Sequence, residues 1–355
     1  MNRRIPIAIA GAGNCASSLI QGIEYYRNHD TAEGLIHHRV GPYAVSDIEV
    51  VAVFDVDKRK VGKDVAEAIW AEPNCTKKLA EVPKRGVLVS KGPVLDGVAE
   101  HMQDVFWVDD SQKEVNVAGI LQTTGAEILL CYLPVGSAQA VRFYAQAALD
   151  AGTAFINAIP EFICSDDEWI AKFKAKGIPC AGDDIKSQVG ATIVHRVLAR
   201  LIQDRGQSIE STYQLNIGGN TDFLNMVDET RLVSKRKSKT QAVTSILDES
   251  GKIKVRIGPS DYIPHLKDNK ICYINIKGKQ FGDVPYELDL KLSVEDSPNS
   301  AGVMVDAIRA VRLALDRGLS GNLEAVSAYC FKSPKVQMRD DIARQALDAF
   351  IEETI

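Results

Sequence analysis

The sequence predicts an α/β protein, a Rossmann-like doubly wound parallel sheet carrying an inserted α+β domain built on an antiparallel sheet. Three observations support this. Short apolar runs alternate with helical periods over roughly the first 206 residues, a glycine-rich turn follows the first strand, and period-two alternation replaces that rhythm after Gly206.

Ile5 to Ala10 is a short apolar strand, and the glycine turn after it opens a helix that runs to about Tyr26. Thr31 to Ser46 reads as a loop within the first crossover. Strands follow at Asp47–Asp55, Ala126–Leu133 and Ala154–Ala158, with helical stretches between them, and Ile178–Ala181 reads as a buried strand end. Ile193, Val194, Val197, Leu198, Leu201 and Ile202 then recur at helical spacing up to Gly206. Beyond it, Ser211–Ile217, Ile271–Lys277 and Pro285–Val294 alternate apolar with polar residues, as half-exposed antiparallel strands do. Residues 278–283 suit a hairpin between the last two. A helix resumes at Ser300 and stops near Gly318. The expected organisation is a nucleotide domain over 1–206, an inserted α+β domain over 207–296, and C-terminal helices over 297–355 that return to the first domain.

Composition narrows the function classes. With 355 residues, 45% hydrophobic and 25% charged, the chain can bury a large core. A net charge of -5 and a pI near 5.8 give no global reason to bind nucleic acid or an anionic membrane, so neither is expected as a partner. The seven cysteines form no CxxC pair and are odd in number, which favours reduced thiols and a cytoplasmic location over a disulfide framework or a zinc site. No apolar run approaches the length of a membrane-spanning helix, and the one at Ile5–Ala10 is broken at once by Gly11 and Gly13.

Two segments have the chemistry of anion sites. In Gly11-Ala12-Gly13-Asn14-Cys15-Ala16, Gly11 allows a tight turn, Gly13 lets backbone approach a pyrophosphate, and Ala16 stands where a third glycine permits close helix–strand packing. The alternative is a tight turn without a ligand. Its acidic partner is Asp55, which lies 42 residues past Gly13 because of the loop in the crossover. An aspartate there favours the unmodified ribose of NAD, while Lys58, Arg59 and Lys60 leave a 2′-phosphate open. Asp64 reads either as a further contact at this end of the cofactor or as a solvated helix carboxylate.

The second segment is Gly182-Asp183-Asp184-Ile185-Lys186-Ser187-Gln188-Val189-Gly190-Ala191-Thr192. Here Ser187 and Thr192 flank a helix N-terminus, whose unpaired N–H groups and dipole favour an anion. An ordinary capped helix is the plainer reading. A cluster of positive charge at Arg231, Lys235, Arg236, Lys237 and Lys239 is a solvated face, a nucleic-acid patch or part of a site. Asn216–Asp222, Lys270 after Asp268, the run Glu295–Ser300 and Lys332-Ser333-Pro334 place further polar groups at strand and loop ends.

Taken together, GAGNCASSLIQGIEYY, YLPVGS at 132–137, GDDIKSQVGAT, QLNIGGNTDFLNM at 214–226, SKRKSKTQAV at 234–243, IGPSDY, FGDVP, EDSPNSAG and FKSP resemble the myo-inositol-phosphate synthases, most closely the short prokaryotic forms, over nearly the whole chain. The resemblance implies a redox-neutral cyclisation of glucose 6-phosphate to inositol phosphate, feeding inositol and phosphatidylinositol synthesis, with tightly held NAD. C5 is oxidised, C6 is enolised and attacks C1, and C5 is reduced again. It implies that Lys235 sits at C5 and relays its proton during hydride transfer, that Lys239, Lys270 and Lys332 bind the phosphate and developing oxyanions, and that Asp184 and Asp296 orient these lysines and bind cofactor or metal.

By the same resemblance Ser187, Gln188, Gly190, Ala191 and Thr192 cradle the phosphate, and Asn220, Asp222, Asp268 and Ser297 contact the substrate. Gly11, Gly13, Asn14, Cys15, Ala16, Asp55, Asp64, Tyr144, Ser187, Asp222 and Lys235 contact the cofactor. A lysine among other cations is expected to have its pKa lowered enough for acid–base work. The resemblance further implies a homotetramer and an activating cation, divalent or monovalent, whose identity the sequence does not give. The rival readings are an NAD-dependent dehydrogenase of a phosphorylated sugar or amino-acid precursor, and an NAD sensor that binds nucleic acid through residues 231–239.

Overall fold

A computed structural model describes residues 3–228 and 253–353. Its larger sheet has seven strands, all parallel. In chain order these are β1 (Ile5–Ala10), β2 (Ile48–Asp55), β3 (Val89–Lys91), β4 (Ile128–Cys131), β5 (Ala154–Asn157), β6 (Pro179–Gly182) and, after the smaller sheet, β11 (Gly321–Asn322). They lie in the order β11-β6-β5-β4-β1-β2-β3. The chain therefore reverses direction across the sheet between β1 and β4, and ligands of such sheets bind in the crevice at the strand ends there. Buried on both faces, β1 and β4 read as continuous apolar runs rather than alternating ones.

One face is covered by α1 (Asn14–Asn28) and by α8 (Asp296–Asp316), α9 (Glu324–Cys330) and α10 (Asp340–Glu352). Ile5, Ile7 and Ile9 pack there with Leu19, Ile23, Met304, Ile308 and Val311. The other face meets α3 (Val117–Thr124), α4 (Ala138–Ala151) and α5 (Asp167–Lys176), where Ala8, Leu129 and Phe155 pack with Val141, Tyr144 and Phe173. Adjacent strand residues serve opposite cores because side chains alternate across a strand. Residues 29–44 form the expected excursion without regular helix or strand, closing on a short 3-10 turn at Val45–Asp47.

The smaller sheet contains β7 (Ser208–Gly218), β8 (Lys254–Tyr262), β9 (Asn269–Lys279) and β10 (Pro285–Glu295), in the order β10-β9-β7-β8. β9 runs antiparallel to β7 and β10, and a short turn at Phe281–Asp283 joins β9 to β10 as the hairpin reading expects. One edge differs from the antiparallel expectation, since β8 runs parallel to β7 and the sheet is mixed. Parallel neighbours need a crossover, and the long stretch between these two strands provides the length for one. β8 also escapes a period-two reading because Gly258 and Pro259 interrupt it.

Two short helices, α2 (Val65–Ala68) and α7 (Thr221–Asn225), sit in the connections. The helix predicted before Gly206 is α6 (Ala191–Asp204). Its apolar face, with Ala199 and Ile202, packs on Ile274 and Ile276 of the smaller sheet, so the boundary expected at 206 falls at the end of a helix that lies on that sheet. α8 begins at Asp296, four residues earlier than the sequence pattern suggests.

Candidate active site

The glycine loop stands at the β1–α1 junction. Gly11 has φ +96°, and a Cβ there would lie 2.6 Å from the Tyr132 carbonyl oxygen, so both conformation and space demand glycine. Gly13 caps α1 and would meet nothing within 4 Å, which leaves open space where a ligand's phosphate can approach the backbone. Ala16 is fully buried, as a close helix–strand contact requires. The Asp55 carboxylate, at the end of β2, accepts from Ala12 N (2.8 Å), Val56 N (2.7 Å) and Asp57 N (2.9 Å). Asn14 spends its side chain on Cys75, accepting from its N–H at 2.8 Å. These residues suit a dinucleotide.

Of the three cations after Asp55, only Lys60 lines the cavity. Arg59 is bound to the buried Asp57 and lies 4.4 Å from the Trp107 ring centre, with Lys58 at 4.8 Å. Lys60 is turned inward under the loop. Asp64 does not line the site. Its carboxylate caps α2 through Ala66 N and binds Gly86 N, so both oxygens are engaged by backbone, which matches neither the cofactor contact nor the solvated carboxylate of the sequence reading. Tyr144 does line the site, and burial pushes its phenol well above the ordinary range.

The second anion segment is built by pairing with the C-terminal part of the chain. Residues 183–186 exchange backbone hydrogen bonds with 330–333, including Lys332 N to Asp184 O (2.7 Å) and Lys186 N to Cys330 O (2.9 Å). Asn299 of α8 binds both the N–H and the carbonyl of Val189. Its two acids differ in role. Asp183 is fully buried and accepts from Asn157, Ile163 N, Cys164 N and both the N–H and hydroxyl of Ser165, while burial raises its pKa to about 6. It is structural. Asp184 lines the cavity and holds Lys332 Nζ at 2.8 Å, and that ammonium also donates to Ile185 O (2.7 Å).

Lys186 faces away from the cavity, donating to Ala328 O at 2.8 Å and lying 3.4 Å from Asp340. Burial lowers its pKa to about 8. Ser187, Gly190, Ala191 and Thr192 line the cavity at the N-terminus of α6. Gln188 is a correction. Its amide reaches Gly34 O (2.7 Å) and packs where a side chain at Gly302 would stand, so it braces the segment from behind.

A second lysine pair completes the chamber. Lys270, at the start of β9, binds both oxygens of Asp296 at 3.0 and 3.2 Å. Burial would depress this ammonium, but Asp296 outweighs it and the net shift is upward, contrary to the expected lowering. Asp268 does not line the cavity. It lies behind it, accepting from Asn220 (3.1 Å) and from the Ser297 N–H (3.1 Å) and hydroxyl (2.8 Å), with burial raising its pKa to about 6. Asn220 in turn caps α7, and it lines the cavity together with Asp222 and Ser297. The Cys15 thiol faces the same space. Burial, reinforced by Asp268 and Asp296, pushes its pKa up to about 12, which makes it a neutral wall rather than a nucleophile.

Several lining residues were given no individual role by the sequence reading, among them Gln214, Asn216, Asn225 and Ser300. Gln214 and Asn216 sit on the inner face of β7 beside His195 of α6. The imidazole lies 3.2 Å from Gln214 Oε1 and 2.7 Å from Thr212 Oγ1, Gln214 donates to Asn216 Oδ1 (3.2 Å), and Asn216 donates to Gly258 O (2.9 Å). The available signal was a run of polar residues at the inward positions of an otherwise apolar strand. Lys235 and Lys239 lie outside the described residues, as does the rest of the 231–239 cluster. Among the described residues no group of His, Cys, Asp or Glu side chains is arranged to hold a metal ion, and no helix is long and apolar enough to cross a membrane.

Fold and site together define a Rossmann-type protein whose nucleotide loop and anion helix open on one lysine-bearing cavity. Residues 190–297 match the sequence profile of myo-inositol-1-phosphate synthase. The chain is 54% identical to the inositol-3-phosphate synthase of Mycolicibacterium smegmatis and 55% identical to that of Corynebacterium glutamicum, in each case over 98% of both chains. The crystal structure of Ari2 superposes with a TM-score of 0.80 at 35% identity, covering 99% of this chain and 100% of that one. The chain belongs to the inositol-3-phosphate synthase family.

Proposed function

We propose that the protein converts glucose 6-phosphate to inositol 3-phosphate with NAD. The observation that carries this reading is the single cavity shared by the glycine loop, the N-terminus of α6 and the Lys270–Asp296 and Lys332–Asp184 pairs. A nicotinamide and a phosphorylated sugar then meet in one chamber. Gly11, Gly13, Cys15, Asp55 and Tyr144 would hold the dinucleotide, and Ser187, Gly190, Ala191 and Thr192 the sugar phosphate. When bound, NAD supplies the reversible hydride acceptance that makes C5 a ketone during the cycle and leaves no net redox change.

The protein's own part is electrostatic. Asp296 keeps Lys270 protonated, so Lys270 Nζ acts as a hydrogen-bond donor to a sugar oxygen as negative charge builds there. Lys332, fixed by Asp184 and Ile185 O, is a second such donor in the cavity. Asn220 and Asp222 hold hydroxyls that fix the chain conformation for ring closure. Lys235 and Lys239 belong to this set by the family pattern.

Assembly as a homotetramer fits the smaller sheet, whose outer face exposes Tyr213, Leu215 and Tyr273. The test of function is to incubate glucose 6-phosphate with the protein and catalytic NAD. A phosphorylated cyclitol without accumulated NADH is expected, and steady NADH formation without cyclitol would replace this reading with a dehydrogenase.

A further inference from the structure

The buried lysine beneath the glycine loop has no part in the chemistry above. Lys60 is 1% exposed, although an ammonium out of water costs several kcal/mol unless its donors are met. Its three donors face three oxygens: Ala12 O at 3.0 Å, Asn74 Oδ1 at 3.1 Å and Asp55 Oδ2 at 3.9 Å. Asn74 reinforces the arrangement by donating to the same Ala12 carbonyl at 2.9 Å. On the other side of the residue, Ala12 N–H is held by Asp55. Both peptide planes that meet at Ala12 are therefore clamped.

The consequence follows from the planar trans peptide. The Ala12 carbonyl and the Gly13 N–H lie in one plane and point in opposite directions. Two donors that draw the carbonyl toward Lys60 and Asn74 turn the Gly13 N–H the other way, at the helix end where open space adjoins Gly13. The charge adds a second effect. Lys60 offsets the Asp55 carboxylate, which otherwise sets a negative charge beside a site meant for a dianionic diphosphate.

We propose that Lys60, seconded by Asn74, is a positioning residue that sets affinity for the cofactor diphosphate by orienting the Gly13 N–H and neutralising Asp55. This rests on the NAD reading above. Two features of the fold hold it in place: the turn after β2, where Lys60 N–H binds Asp57 O, and the Asn74 side chain, which also donates to Ile69 O at the end of α2.

The experiment titrates NAD into the full-length chain, stripped of nucleotide, at low and high salt. Lys60→Met keeps length and removes charge. It is expected to raise the NAD Kd by about tenfold or more, the range of one hydrogen bond to a charged group, and to flatten its salt dependence. Affinity for inorganic phosphate, which reports the α6 site, stays unchanged. Asn74→Ala keeps the charge and is expected to raise the Kd by a smaller factor with the salt dependence intact, so the idea stays testable if Lys60→Met does not fold. An NAD Kd within twofold of the parent in both variants, or in Asn74→Ala alone should the other fail to fold, overturns the proposal and leaves the functional reading standing. A parent chain that takes up no NAD overturns both.

Discussion

The glycine loop and the Asp183–Thr192 segment both deliver a helix N-terminus to the same cavity, yet they are held by different means. The loop depends on backbone shape, with Gly11 at positive φ against Tyr132 O, and on side chains from the adjoining β2 region, Asp55, Lys60 and Asn74. The segment depends on the far end of the chain: residues 330–333 pair with it, Asn299 holds Val189, and Asp340 binds Lys186 and Arg196. Support of the proposed nucleotide loop thus comes from the neighbouring strand ends β2 and β4 and the turn after β2. Support of the proposed phosphate segment is long-range, coming from α8, α10 and residues 330–333.

The largest effect is expected where the two sites meet. Lys270→Ala should lower kcat by at least about a hundredfold, the usual loss when an oxyanion donor is removed, with NAD and phosphate affinities each within a few-fold of the parent. Turnover near the parent value would take Lys270 out of the mechanism. Next in size is Gly11→Ala, which places a Cβ 2.6 Å from a carbonyl oxygen at φ +96° and costs roughly 1–3 kcal/mol of strain. NAD affinity should fall about tenfold or more, the conversion of that strain, while inorganic phosphate binds as before. Equal loss at both sites would break the contrast between local and long-range support.

The same contrast explains what could be read from sequence. Gly11, Gly13 and Asp55 announce themselves because turn geometry and strand ends are local, and the parallel character of the larger sheet follows from alternating elements, whereas the short strands β3 and β11 carry too few residues to show a pattern. In the second segment the residue types were legible but their directions were not. Asp183, Lys186 and Gln188 look as chemically apt as Asp184 and Ser187, and only pairing with 330–333 and α8 decides which of them face the cavity. The surroundings of Asp268 were illegible for the same reason: its neighbours Asn220 and Ser297 come from distant stretches and enclose it. The edge strand β8 escapes the reading because Gly258 and Pro259 interrupt its alternation, and its parallel direction is set by a crossover, which composition does not encode.

Asp340→Ala tests the long-range arm directly. It strips the buried Lys186 and Arg196 of their shared carboxylate, and losing one partner of such a cluster costs on the order of 3 kcal/mol. Chemical denaturation should show that loss of stability, and the affinity for inorganic phosphate should fall several-fold as the segment loosens. NAD affinity should hold. A parallel fall in NAD affinity would mean that α10 supports both sites and that the division is wrong.

The smallest effect concerns protons. His195 is fully buried on α6, and burial lowers its pKa from 6.5 to about 4, so the folded protein holds it neutral while the unfolded chain protonates it near its ordinary value. Between these two values the unfolded state binds more protons, and stability rises with pH. The contribution is complete above about pH 6.5 and is lost as pH falls toward 4. Since the imidazole contacts Gln214, which in turn holds Asn216, protonation should loosen the phosphate side before the glycine loop. His195→Asn, which cannot titrate, should show a shallower fall of unfolding free energy between pH 6.5 and 4.5 and a modest change in phosphate affinity at neutral pH. Identical slopes in the variant and the parent would show that the acid sensitivity of this half of the site lies in another group, with Asp183 and Asp268 carrying the opposite sign, because their raised pKa values favour the folded state as pH falls through about 6.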